Sequence, residues 1–346
     1  MKNKYIYIIV IVLIFVFSLI FIFFTNCSYR ESYDLNIELV NNDRVFYPKL
    51  FTDKNEIYYL SDLGIIWYKY NLNTNEKTII FDDEVLGIEQ VLYAPNSNNA
   101  VVYSNYPEYN IRHYDFEKNV NYKLNNDIGN ISWQGNNLLY VFNKFDESAR
   151  EKYLFEITQS FPDGSNWKPV RQIKSEQNIG ITIYSIKEGE YYYTIIPSNE
   201  YSGSTLYKGY NSNAERVDRI SKDQQVFSEL YFSKDFSKVF YIGSDQDLLL
   251  QDLNKIEKID NFGLKIENTH GLSWSNDGKY IYYLESLDKL TRIEIANKKT
   301  TTYNLDNSQI VYINMLDQQV KNLGLSSDDQ ILYFTYNNYI YSVNLK

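Results

Sequence analysis

Carboxylates, two histidines and a single cysteine are the residues in this 346-residue chain whose types and spacing offer chemistry. The carboxylates cluster at Asp82-Asp83-Glu84, at Asp146-Glu147 and at Asp245 with Asp247, each between hydrophobic runs. Paired carboxylates can hold a cation or act as acid and base on a glycan. In polar loops they more commonly make a solvated face. His113 lies in the alternating segment Ile111-Arg112-His113-Tyr114-Asp115 and reads as a strand residue; His270 precedes Gly271 in a loop. Two histidines so placed form neither an HExxH helix nor a His-rich zinc site. No segment has the ligand spacing of an EF-hand, and there is no GxSxG elbow or Walker loop. The sequence thus points to no catalytic constellation, no metal ligand set and no cofactor.

The elements that must position these residues repeat. In residues 272–305, Leu272-Ser273-Trp274-Ser275 alternates like a short strand and Asn276-Asp277-Gly278 is a turn signal. A second strand follows, dense in Tyr and Ile, then a turn at Asp288, a third strand to Ile295, a turn at Asn297-Lys298 and a Thr-rich fourth strand. Four short antiparallel strands of this kind make one propeller blade. With Ser275 as reference, matching turn positions occur at Thr52, Ala94, Gln134, Ser185, Ser233 and Ser326. By difference of residue numbers the steps run from 40 to 51, the spacing of propeller repeats. Each turn leads into an apolar run, such as Ile57-Tyr58-Tyr59, Val101-Val102-Tyr103 or Ile331-Leu332-Tyr333. The copies at Gln134 and Ser185 fit least well, and an insert around Phe161-Pro162-Asp163-Gly164 leaves six blades as an alternative to seven.

The segment Ser275-Asn276-Asp277-Gly278-Lys279-Tyr280-Ile281-Tyr282-Tyr283 resembles the repeat of the TolB-type, WD40-like β-propeller family. The resemblance extends over residues 44–346, although only Ala94-Pro95 keeps the proline usual in that repeat. It implies an extracytoplasmic binding propeller acting through protein partners. It implies no single activity, because propellers host many functions. A Ser-x-Asp-x-Gly-x-Thr-Trp box of the sialidase type is absent, the Gly278 being one place early.

Composition agrees with an all-β chain. There are 35 tyrosines, and Tyr, Ile and Thr suit pleated, half-buried surfaces. The formal net charge is −10, with 34 basic and 44 acidic residues and no basic stripe, which excludes nucleic acid as the expected partner. Lys2 and Lys4 precede an uncharged run over residues 5–24. At about 1.5 Å per residue it spans roughly the 30 Å of a bilayer core, and the flanking lysines keep the N-terminus cytoplasmic. Phe24-Thr25-Asn26-Cys27-Ser28 resembles a bacterial lipoprotein cleavage site with Cys27 as the lipidated residue. It departs from that pattern at Asn26 and in the length of the apolar run. A signal anchor and a lipoprotein signal therefore both stand. A lone cysteine excludes an internal disulfide.

The expectation is an all-β, seven-bladed propeller with an N-terminal transmembrane or signal helix. Residues 1–27 form the anchor or signal, 28–33 a linker and 34–346 the propeller, with 34–40 as closing strand of the last blade. The function expected is a tethered, extracytoplasmic, non-enzymatic binding or assembly module for a protein, peptide or wall polymer. The alternatives are a glycan- or peptide-modifying enzyme using carboxylates near the central channel, and a structural surface protein. The binding face is expected to gather Tyr106, Tyr109, Asp146, Glu147, Arg150, Tyr201, Asp245, Asp247 and His270, because loops between second and third strands share one end of a propeller with the links between blades.

Overall fold

The computed structural model describes residues 34–346 apart from 62–65, 83–85, 107, 198–203, 222–229, 244–245, 256–258, 267–270 and 312–319. The alternating apolar runs of the sequence form strands throughout. β1 (Leu35–Leu39) comes first, followed by a four-stranded sheet of β2 (Phe46–Phe51), β3 (Glu56–Leu60), β4 (Ile66–Asn71) and β5 (Glu76–Asp82). The next sheets are β6 (Ile88–Tyr93), β7 (Asn99–Ser104), β8 (Asn110–Asp115) and β9 (Val120–Lys123), then β10 (Ile128–Gln134), β11 (Asn137–Phe145), β12 (Tyr153–Ser160) and β13 (Lys168–Ser175). Two more follow: β14 (Ile179–Lys187), β15 (Glu190–Pro197), β16 (Thr205–Tyr210) and β17 (Asn213–Arg219), and β18 (Leu230–Phe232), β19 (Lys238–Ile242), β20 (Asp247–Asp252) and β21 (Ile259–Lys265). The last strands are β22 (Leu272–Trp274), β23 (Tyr280–Ser286), β24 (Lys289–Glu294), β25 (Lys299–Asp306), β26 (Lys321–Leu325), β27 (Ile331–Tyr336) and β28 (Tyr339–Asn344). They join with β1 in an eight-stranded sheet ordered β22-β23-β24-β25-β1-β28-β27-β26. The molecule is all-β and propeller-like, with five separate four-stranded sheets and this composite one.

β1 holds the composite sheet together. It pairs antiparallel with β28, Ile37 opposite Val343 and Leu39 opposite Tyr341, and parallel with β25 through Leu35 and Leu305. Its Ile37 side chain is buried in one apolar cluster with Leu284, Leu305, Leu332 and Tyr341.

The sheets pack face on face, which explains why second strands read as continuous apolar runs. In β23, Ile281 and Tyr283 pack towards Phe240 and Leu250 of the preceding sheet, while Tyr282 and Leu284 pack towards Leu332 and Phe334 of the following strands. A strand covered on both faces loses the polar half of its alternation. Outer strands are covered less, and β25 (KTTTYNLD) is mostly exposed or half-exposed. Apolar clusters join every successive pair of four-stranded units. The unit β26–β28 packs back on the first sheet, Tyr333 and Ile340 against Leu50, Ile57 and Tyr59.

The turns between first and second strands are built alike. Asn55, Ser97, Phe236, Gly278 and Asp329 each sit three residues after the reference position, each with positive φ. Gly278 takes φ 68° at no steric cost, whereas Phe236 at φ 55° is strained. The two copies that fit least well differ physically: Gln134 and Lys187 are followed by two-residue turns containing Gly135 and Gly189.

Candidate functional site

Antiparallel order puts the first-to-second turns at one end of the molecule, the turn face. Second-to-third loops and the links between sheets lie at the other end, the loop face. At the turn face the repeated Ser and Asp hold backbone. Ser275 Oγ donates to Asp277 Oδ1 (2.8 Å) and accepts the Tyr280 N–H (2.9 Å). Ser326 does the same with Asp328 and Ile331, and Ser233 with Asp235 and Lys238. Hydrogen bonds from Lys279 help hold the Asp277 carboxyl at about 2. Neighbouring turns are tied as well: Asn276 Nδ2 donates to Ser326 O at 2.8 Å and Asn96 Nδ2 to Asn136 Oδ1 at 3.0 Å.

The loop face carries Tyr106 and Tyr109 between β7 and β8, both exposed, Tyr106 at 59%. Contacts there join second-to-third loops to the links between sheets. Asn126 Nδ2 donates to Tyr109 O at 2.9 Å, and Arg150 Nε lies 3.2 Å from Glu176 Oε1. Burial and the Glu89 charge raise the Tyr109 phenol above its usual range. Asp146 accepts the Ser148 Oγ–H at 2.6 Å and the Ser148 N–H at 2.9 Å, which lowers its carboxyl; it shapes its own loop. Glu147 is exposed beside it. Asp247 opens β20 and is paired with Lys265 at 2.7 Å and Asn261 Nδ2 at 3.1 Å, which lower it in that order. Thus Asp146 and Asp247 are engaged within their own loop and sheet. Tyr201, Asp245, His270, Cys27 and residues 5–24 lie outside the described residues. Sequence patterning passed over the apolar side chains on the same face. Phe145 at the end of β11 is 58% exposed, and Leu86 and Ile196 are also exposed there. The signal was a hydrophobic residue continuing a strand into its loop.

A cavity of about 920 Å³ runs along the inner strands. It is lined by β2, β6, β10 and β14, by Phe232 of β18, by Lys321 and Leu323 of β26, and by the β27–β28 turn. Pro48 sits in β2 at the unpaired inner edge, where a missing N–H costs no ladder bond. β2 is also bulged: Phe46 pairs with Leu60 and Lys49 with Tyr58, leaving one extra residue on β2, with Tyr47 at φ 50°. The Tyr47 hydroxyl reaches the next sheet and donates to Ile88 O at 2.7 Å. Lys49 follows the bulge. It is exposed to the lumen, and desolvation by the surrounding ring lowers its ammonium pKa. Lys49 escaped sequence reasoning because Phe-Tyr-Pro-Lys-Leu-Phe reads only as a strand; the lumen exists only once the sheets form a ring.

His113 is elsewhere. It is 3% exposed on β8, stacked on Tyr122, with Nε2 2.8 Å from Asn99 Oδ1. Burial pushes it down to about 4, so it is neutral. Among the described residues no group of three or more His, Cys, Asp or Glu is placed to hold a metal, and no helix is long and apolar enough to cross a membrane.

No protein-family model and no curated protein matches the chain. Solved structures do. An oligogalacturonate lyase from Vibrio parahaemolyticus aligns over 90% of this chain and 97% of its own, at 13% identity and TM-score 0.62. An oligogalacturonate lyase in complex with manganese aligns over 90% and 91%, at 13% identity and TM-score 0.60. Hsv2 of Kluyveromyces lactis aligns over 86% and 91%, at 13% identity and TM-score 0.55. At these identities the likeness is one of fold, the β-propeller, which enzymes and non-enzymes share.

Proposed function

We propose that the chain is a seven-bladed, TolB-like propeller, tethered at the outer face of a cell membrane, that binds a protein or peptide through its loop face. The observation that carries the binding role is the set of exposed apolar side chains on that face: Leu86, Tyr106, Tyr109, Phe145 and Ile196. Exposed aromatic side chains among polar ones are what protein interfaces use. The count of seven is supported by the two four-stranded units of the composite sheet, β22–β25 and β26–β28 with β1, added to the five separate sheets. The TolB-like resemblance rests on the turn repeat, and the tether on residues 5–24 and Cys27 of the sequence.

Binding is favoured over carboxylate catalysis in the channel, because no Asp or Glu is among the described residues that line the cavity. The triple variant Tyr106→Ser, Tyr109→Ser, Phe145→Ser is expected to lose the partner captured by cross-linking wild-type protein in intact membranes, while its melting temperature stays within a few degrees. Undiminished capture overturns the loop face as the binding surface.

A further inference from the structure

Among the described residues, the cavity's lining carries Lys49 and Lys321 and no carboxylate, in a chain whose formal net charge is −10. Lys49 has no hydrogen-bond or ion-pair partner among the described residues. Lys49 is exposed to the lumen, where a soluble anion can reach its ammonium group.

The backbone beside it is strained. Tyr47 takes φ 50° immediately before a proline, where both its bulk and the following ring disfavour that conformation. The bulge it makes sets where Lys49 lies on the inner edge, and strain of this kind gathers at ligand sites. Gln90, Ser132 and Thr182 add amide and hydroxyl groups to the same lining. The volume, about 920 Å³, is that of a small-molecule pocket.

We infer that the central channel is an anion site, in which a carboxylate or phosphate group of a small ligand pairs with Lys49. This stands apart from the loop-face reading and does not need it. The test uses the full-length chain in an uncharged detergent at low ionic strength, titrated calorimetrically with inorganic phosphate and, separately, with succinate. One-site binding of either probe is expected, and whichever binds more tightly names the anion class. Lys49→Met should weaken that binding by about ten-fold or more, and Lys49→Arg should keep it within a few-fold. Absence of saturable binding of both probes up to about 10 mM, or undiminished binding to Lys49→Met, overturns the proposal. Should Lys49→Met fail to fold, wild-type protein decides. The bound probe must slow acetylation of Lys49 by acetic anhydride, read by peptide mass spectrometry, and leave the surface residue Lys118 unprotected; equal labelling of Lys49 with and without probe overturns it.

Discussion

At the scale of residues, the polar side chains with the most regular spacing hold turns. Ser275 with Asp277, Ser326 with Asp328 and Ser233 with Asp235 each hold a first turn through one hydroxyl and one carboxylate. A carboxylate satisfied by backbone and hydroxyl donors has little left for a ligand. His113 is likewise structural, and it makes stability depend on pH. Its folded value of about 4 lies below the unfolded 6.5. Its contribution is therefore complete above about pH 6.5 and is lost as pH falls towards 4, by about 3 kcal/mol in all. The lowered aspartates, such as Asp277 at about 2, lose their contribution only at lower pH. Denaturant unfolding of His113→Gln, which keeps a donor for Asn99, should show a flatter dependence between pH 6.5 and 4.5 than the wild type. Parallel curves for the two proteins would mean that His113 does not titrate in this way.

At the scale of elements, β1 is the consequential strand, because it is distant in sequence from both of its neighbours. Val40 N donates to Ile340 O at 2.9 Å. The alternation of an antiparallel ladder places the Glu38 N–H, opposite Ser342, on the same edge. Glu38 is exposed, so substitution there leaves the core untouched. Glu38→Pro removes that donor and should cost about 1–3 kcal/mol, whereas Glu38→Ala should be close to neutral. Thermal melts of the two variants measure the difference, and equal melting temperatures would show that β1 contributes little to holding β28. The first strands teach a related point. Their inner edges have no neighbour, so Pro48 and a bulge at Tyr47 are tolerated in β2 where a central strand would exclude them.

At the scale of the molecule, the arrangement of sheets turns the repeat into two faces and one channel. The proposed tether adds an orientation to a membrane, and it is tested by fractionation. Full-length protein should stay with membranes through salt and carbonate washes and leave them in detergent. Cys27→Ser then separates the attachments: loss of lipid labelling with accumulation of precursor marks a lipoprotein, and unchanged mass and attachment mark a signal anchor. Protein found soluble without detergent would exclude both.

The all-β class and the blade repeat were legible in the sequence because both are local. A turn residue tolerant of positive φ, followed by an apolar run, recurs wherever a first strand meets a second, and Gly278 and Asn55 announce it within a few residues. Of the loop-face residues, Tyr106, Tyr109, Asp146, Glu147, Arg150 and Asp247 were legible as positions, since chain order alone decides which loops share an end. Their roles were not: that Asp247 is consumed by Lys265 depends on pairing across β20 and β21. The channel is the feature that only tertiary structure decided. Lys49, Gln90, Ser132, Thr182 and Lys321 come from sheets far apart in sequence. They share a lumen because sheets covered on both faces pack into a ring, and no periodicity within one strand records which edge will face its axis.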